Sequence, residues 1–153
     1  MKNRIFIVTA CVALCLLAGC KKKGSDKEPD SFYGSASAPS WSVSDSYDYS
    51  SSMTAIIAVD LGAQYPDKAS DFVLSSDDVV AAFIQGVCVG VASPIEGLFF
   101  LYIAGGTAGD VSLRYYSSFY KRQFGADNAF TFENDAMIGT HESPFLPEWK
   151  PVK

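Results

Sequence analysis

Apolar and polar residues alternate with a period of two along most of the chain beyond residue 40. Met53, Ala55, Ile57, Val59 and Leu61 fall on one side of that period, with Thr54, Ile56, Ala58 and Asp60 on the other. Such a pattern predicts a strand with one buried face. Trp41 and Val43, set between Ser40, Ser42 and Ser44, predict a short strand before it. Residues 62–71, with Gly62, Pro66 and Asp67, read as a loop. Val79 to Ile84 and Val87 to Ala92 flank Gln85-Gly86 and predict a tight hairpin. A regular two-residue turn there pairs Ile84 with Val87, Phe83 with Cys88 and Ala81 with Gly90. The bare Gly90 leaves room for another backbone or a ring to approach.

Ser93-Pro94 ends that unit, and residues 97–104 form the next predicted strand. Phe99, Leu101 and Ile103 lie on one face and Leu98, Phe100 and Tyr102 on the other, which suits a central strand. Val111, Leu113 and Tyr115 alternate with Ser112, Arg114 and Tyr116 in a further strand. Residues 119–124 and 129–132 predict two more, separated by a turn at residues 125–128. From Ile138 onward, Gly139, Pro144, Pro147 and Pro151 predict an irregular tail. Short strands at regular spacing, with no helical segment among them, indicate an all-β, immunoglobulin-like antiparallel sandwich.

The start of the chain obeys a different pattern. Lys2 and Arg4 precede an apolar run of 13 residues, Ile5 to Leu17. A membrane span needs about 20, so the run reads as a secretory signal. Leu17-Ala18-Gly19-Cys20 resembles the lipobox of bacterial lipoprotein precursors. That resemblance implies cleavage before Cys20, fatty acylation of Cys20 and attachment to a membrane by lipid, since two or three acyl chains anchor where one binds marginally. The expected organisation is a signal peptide at 1–19, a lipidated Cys and disordered tether at 20–39, and a sandwich domain at 40–153. Lys21 stands where lipoproteins retained at the inner membrane carry Asp. The expectation is therefore an outer-membrane lipoprotein of the cell envelope, exposed at the surface.

Charge and cysteine content narrow the functional classes. Loss of Lys2 and Arg4 moves the net charge from −5 to −7. From Ser31 onward there are 6 basic and 14 acidic residues, a net −8 that repels a phosphate backbone and argues against nucleic acid as a partner. Cys11 and Cys15 leave with the signal, and lipid occupies Cys20. Cys88 is then the remaining thiol, so no disulfide is expected.

The segments Tyr49-Ser50-Ser51-Ser52-Met53-Thr54, Ala81-Ala82-Phe83 and Gly90-Val91-Ala92 are similar to a β-sandwich module of secreted and surface proteins in Gram-negative gut-type bacteria. The similarity spans residues 41–147 and implies fold and exterior location rather than an activity. Val89 occupies the position that carries Arg in related versions.

Candidate chemistry is sparse. His141 is the sole histidine, so zinc sites with several N or S ligands are not expected, and no D-x-[DN]-x-[DN]-G loop supports calcium. No metal and no cofactor is assigned. A Cys88–His141–acid triad conflicts with the Val-rich strand around Cys88. Asp77-Asp78 and Glu133/Asp135 are the carboxylate pairs a glycoside hydrolase would need, and nothing distinguishes either pair from a solvated loop. The aromatics Trp41, Tyr47, Tyr49, Tyr116, Tyr120 and Trp149 are the candidate binding residues, able to stack on sugar rings or pack against a protein. The expected function is a non-enzymatic binding module for a glycan or surface-protein partner. The alternatives are a polysaccharide or peptide hydrolase, or a structural subunit of a surface assembly.

Overall fold

Alternation at Met53, Ala55 and Ile57 becomes strand β1, Ser51–Ile57, in the computed structural model, which describes residues 32–43, 50–105 and 108–153. All three side chains are buried. Val59 and Leu61 continue the apolar series past the end of the strand. There the Asp60 carboxylate accepts a hydrogen bond from Ala63 N at 2.8 Å and caps a single helical turn, α1, Leu61–Gln64. The expected loop at 62–71 thus begins as helix. Trp41 and Val43 lie outside any strand; Trp41 sits over the face of the larger sheet, against Phe83, rather than beside a sheet edge.

The predicted hairpin forms at its predicted limits, β2 Val79–Ile84 and β3 Val87–Ala92. Gln85 (φ 51°) and Gly86 (φ 83°) both take left-handed backbone, the type I′ geometry that matches strand twist. Ile84 pairs with Val87 and Phe83 with Cys88, as expected. Gly90, however, faces Ala82 and not Ala81, because a bulge shifts the register between Ala82 and Phe83. The extra residue is Val89, which is fully buried. An Arg there would have no water to reach.

After Ser93 the chain crosses to the second layer through β4, Pro94–Ile95, and β5, Leu98–Gly105. Strands β6, Asp110–Ser117, and β7, Arg122–Thr131, follow, and the tail adds β8, Met137–Ile138, and β9, Lys150–Pro151. One sheet has the order β4-β5-β1-β8 and the other β3-β2-β6-β7-β9. The pairings are antiparallel except β1 with β8. The protein is an all-β sandwich. Phe99, Leu101 and Ile103 face its core, whereas Phe100 and Tyr102 stand on the outer face of β5, exposed. Residues 125–128 do not form a turn: Leu113 pairs with Ala126 and Val111 with Phe130, so β7 runs on through a bulge.

The sheets meet most closely where β3 crosses β5. A Cβ on Gly90 would lie 2.6 Å from the Tyr102 carbonyl oxygen, so the close approach anticipated at this glycine is made by backbone. Behind it the core is dominated by rings. Tyr115 packs on Phe124 at 5.9 Å, on Phe99 at 6.1 Å and on Trp149 at 5.5 Å between centroids. Trp149 belongs to the supposedly irregular tail. It is held by α1: the Gln64 amide donates to Pro147 O at 2.6 Å and accepts from Trp149 N at 2.9 Å, and the Tyr65 hydroxyl donates to Trp149 O.

A domain boundary at residue 40 is too late. Phe32 is 5% exposed and packs against Tyr65 (4.8 Å), Tyr120 (5.4 Å) and Phe124 (5.4 Å). Gly34 N and Ala36 N donate to the carbonyls of Tyr120 and Lys121, both at 2.8 Å. Residues 32–43 therefore form a strap laid on the sandwich, not the end of a tether. The polar composition around Phe32 hid the buried side chain that anchors it.

Two substitutions test this packing. Gly90→Ala is expected to lower unfolding stability by about 1–3 kcal/mol, read as a shift in urea midpoint, because the backbone of β5 must yield. Phe32→Ala is expected to cost about 3 kcal/mol in the same measurement; a spacer residue at position 32 would cost nothing.

Candidate functional site

The strap turns the outer face of the larger sheet into a cleft. On β2, inward Val80, Ala82 and Ile84 leave Phe83 pointing outward. On β6, inward Val111, Leu113 and Tyr115 leave Ser112 and Arg114 outward. Trp41, at the end of the strap, meets Phe83 with centroids 6.1 Å apart and planes at 81°. Beneath and beside these rings lies a cleft of about 680 Å3, lined also by Gln85, Gly86, Asp110, Gln123 and Asn128. That volume falls within the roughly 300–1,000 Å3 of ordinary ligand sites.

Each polar group in the cleft is placed by a local feature. Gln85 is the first residue of the type I′ turn. Asn128 occupies the β7 bulge at φ 49°, and its N–H donates to the Ser112 hydroxyl at 3.3 Å. Asn tolerates this left-handed backbone better than most side chains. The Arg114 guanidinium donates to Asp127 at 2.8 Å and to the Leu113 carbonyl at 2.9 Å. It thereby forms the wall between this cleft and a neighbouring hollow of about 470 Å3 lined by Phe145, Pro147 and Lys150. Asp110 accepts from the Thr131 hydroxyl at 3.1 Å. Among the described residues, the side-chain amides of Gln85, Gln123 and Asn128 make no hydrogen bond.

The aromatics expected to bind a ligand separate into three groups. Trp41 lines the cleft. Tyr116, Tyr120 and Trp149 are buried at 5%, 0% and 0% exposure and offer no face for stacking. The Tyr116 hydroxyl donates to Ala36 O at 3.1 Å beneath the strap, Tyr120 sits under Phe32, and Trp149 is in the core. Tyr47 and Tyr49, like Cys20, the residue expected to carry lipid, lie outside the described residues. Sequence reasoning missed Phe83, Gln85, Gln123 and Asn128 as site residues. The signals were present as the Gln-Gly turn and the Gly-Ala-Asp-Asn run, which read as chain reversals.

The other candidate chemistry is absorbed by structure. Asp77 is exposed while Asp78 is fully buried, where its carboxylate accepts from Tyr115 OH (2.7 Å), Ser118 Oγ (2.7 Å), Ser118 N (2.8 Å) and Ser75 N (3.2 Å). Burial and that negative charge push the Tyr115 hydroxyl far above its ordinary pKa. Glu133 and Asp135 are exposed loop residues. Burial raises the Cys88 thiol above its usual value, against thiolate formation. Among the described residues no three His, Cys, Asp or Glu side chains are grouped to hold a metal ion, and no helix is long and apolar enough to cross a membrane.

Asp71 fastens the foot of the strap. It accepts from the Tyr33 and Tyr120 hydroxyls, each at 2.8 Å. The Tyr33 bond, then the Tyr120 bond, holds its carboxyl below the ordinary value of 3.8. Protonation therefore favours the unfolded chain: this stabilisation is complete above that ordinary value and is lost as pH falls through the lower folded value. Urea midpoints measured from about pH 7 down to about pH 2.5 are expected to show Asp71→Asn less stable at neutrality, with the gap closing in acid. A gap independent of pH would remove the latch.

No protein-family model matches the chain, and no curated protein or solved structure matches it.

Proposed function

We propose that this protein is a lipid-anchored binding module of the cell envelope, without catalytic activity, whose ligand site is the cleft under the strap. The observation that carries the reading is the juxtaposition of Trp41 and Phe83 with the unpaired amides of Gln85, Gln123 and Asn128 in one open cavity. Aromatic surface with a few convergent hydrogen-bonding groups suits binding. A hydrolase would need two free carboxylates. Asp110 is the acid that lines this cleft, and Thr131 engages it.

The anchor and the cleft are related by the chain itself. Twelve residue steps separate Cys20 from Phe32, so the docked body stays within about 40 Å of a lipid on Cys20 whatever path they take. Phe32 sits at the end of the sandwich that carries the β6–β7 turn. Gln85, Gly86 and Asp110 lie at the other end, since Ile84 pairs with Val111 and Val79 with Tyr116. The cleft, lined by Gln123 near the first end and by Gln85 and Asp110 at the other, runs along the sheet between them, and the outer-membrane protein tethered by Cys20 carries it within reach of the lipid surface.

Two measurements on whole cells test the reading. Palmitate labelling is expected to fall to background in Cys20→Ser; an unlabelled wild-type protein in the medium would defeat the anchor. A photocrosslinking residue at Gln85 is expected to capture glycan or protein, whereas one at Val73, exposed and outside the cleft, is not. Equal capture, or none, at both positions would defeat the site.

A further inference from the structure

We infer that the cleft takes an uncharged oligosaccharide, with Trp41 as its stacking platform and Asn128 as its principal hydrogen-bonding residue; this rests on the cleft being the ligand site. Three features of the cleft point to that chemistry. The first is charge. Its one cation, Arg114, is neutralised by Asp127, and Asp110 leaves a local surplus of negative charge. The body as a whole carries a net −8 from Ser31 onward. Uronates, sulfated sugars and acidic peptides would meet repulsion on approach and find no free cation on arrival.

The second is the kind of polar group on offer. Gln85, Gln123 and Asn128 present neutral amides, each with both a donor and an acceptor. A pair of neighbouring sugar hydroxyls can answer both at once. Water is the competing partner, so such bonds discriminate between ligands more than they add affinity. The third is the aromatic corner. Trp41 and Phe83 stand nearly perpendicular, and both line the cavity. The apolar C–H face of a pyranose covers one ring while its equatorial hydroxyls reach the amides.

Asn128 supplies an independent observation. It is a non-glycine residue at φ 49° inside a strand, and the bulge that holds it inserts extra residues between the Leu113–Ala126 and Val111–Phe130 pairs. Uninterrupted ladder would have been the simpler structure. The bulge places the amide of Asn128 on the wall of the cleft, and backbone held in a sparsely populated region is found where a side chain must be aimed.

The chain holds two tryptophans, Trp41 and Trp149, and Trp149 is fully buried. Ligand stacking is therefore read directly as a change in Trp41 emission. The full-length protein, in a detergent without sugar headgroups, is titrated with neutral hexose and pentose oligosaccharides and with a uronate oligomer of matched length. At least one neutral oligomer is expected to shift the emission saturably. By calorimetry, Trp41→Ala is expected to weaken binding about tenfold or more, with Trp41→Phe retaining most of it. Asn128→Gly keeps the left-handed backbone accessible while deleting the amide, so it is expected to weaken binding without unfolding the sheet. Tighter binding of the uronate overturns the assignment of an uncharged ligand. Neutral-sugar binding that survives both Trp41→Ala and Asn128→Gly overturns the site. If no oligosaccharide binds while a crosslinker at Gln85 still captures protein, the sugar assignment fails and the binding module stands. Silence in both experiments sinks both.

Discussion

A single buried carboxylate governs how this sandwich is closed. Asp78 has no exposed surface and no cationic partner within its hydrogen-bonding shell, yet it accepts four hydrogen bonds from Ser75, Tyr115 and Ser118. A carboxyl group in a protein interior is tolerable when its oxygens are satisfied this fully. Those bonds draw together the start of β2, the middle ring of the aromatic core and the β6–β7 turn. The carbonyls of Tyr120 and Lys121 on that turn receive the strap. The strap in turn brings Trp41 over Phe83. Core, turn, strap and cleft are thus linked in series through one fully hydrogen-bonded carboxylate.

The second acid, Asp71, does related work under different conditions. It also gathers tyrosine hydroxyls, but at the surface, where solvent screens it and protons reach it. The two carboxylates thus act at different depths: Asp78 ties the β6–β7 turn to the core from inside, and Asp71 is an external latch on the strap that weakens in acid. Each is already engaged by hydroxyl donors. What is left uncommitted is a set of amides and rings on the outer face of the larger sheet, and that residue of unsatisfied capacity carries the functional reading.

Several misplacements in the sequence reading share one cause. Gly125 to Asn128 has the composition of a turn, and Asn128 takes a left-handed backbone, but β6 and β9 pair with β7 on either side and the strand continues through a bulge. Ala81 was expected opposite Gly90, and a one-residue bulge at Val89 moved the partner to Ala82. Tyr120 and Trp149 have the polar tips of interface aromatics. Asp71 satisfies one tip, and Trp149 is drawn inward although its indole N–H finds no partner among the described residues. Local composition carries no information about which long-range partner will claim a residue.

Alternation of side chains determined the central strands β1, β2, β3, β5 and β6, the Gln85-Gly86 hairpin and the all-β architecture, because a period of two is a property of neighbouring residues and requires nothing distant. The bare flank of Gly90 was legible for the same reason. The membership of Phe32 in the core, the docking of the tail through Gln64 and Tyr65, and the meeting of Trp41 with Phe83 were decided only by the tertiary structure. Each joins residues separated by tens of positions, and its free energy exists only once both sheets are in place to exclude water from the contact.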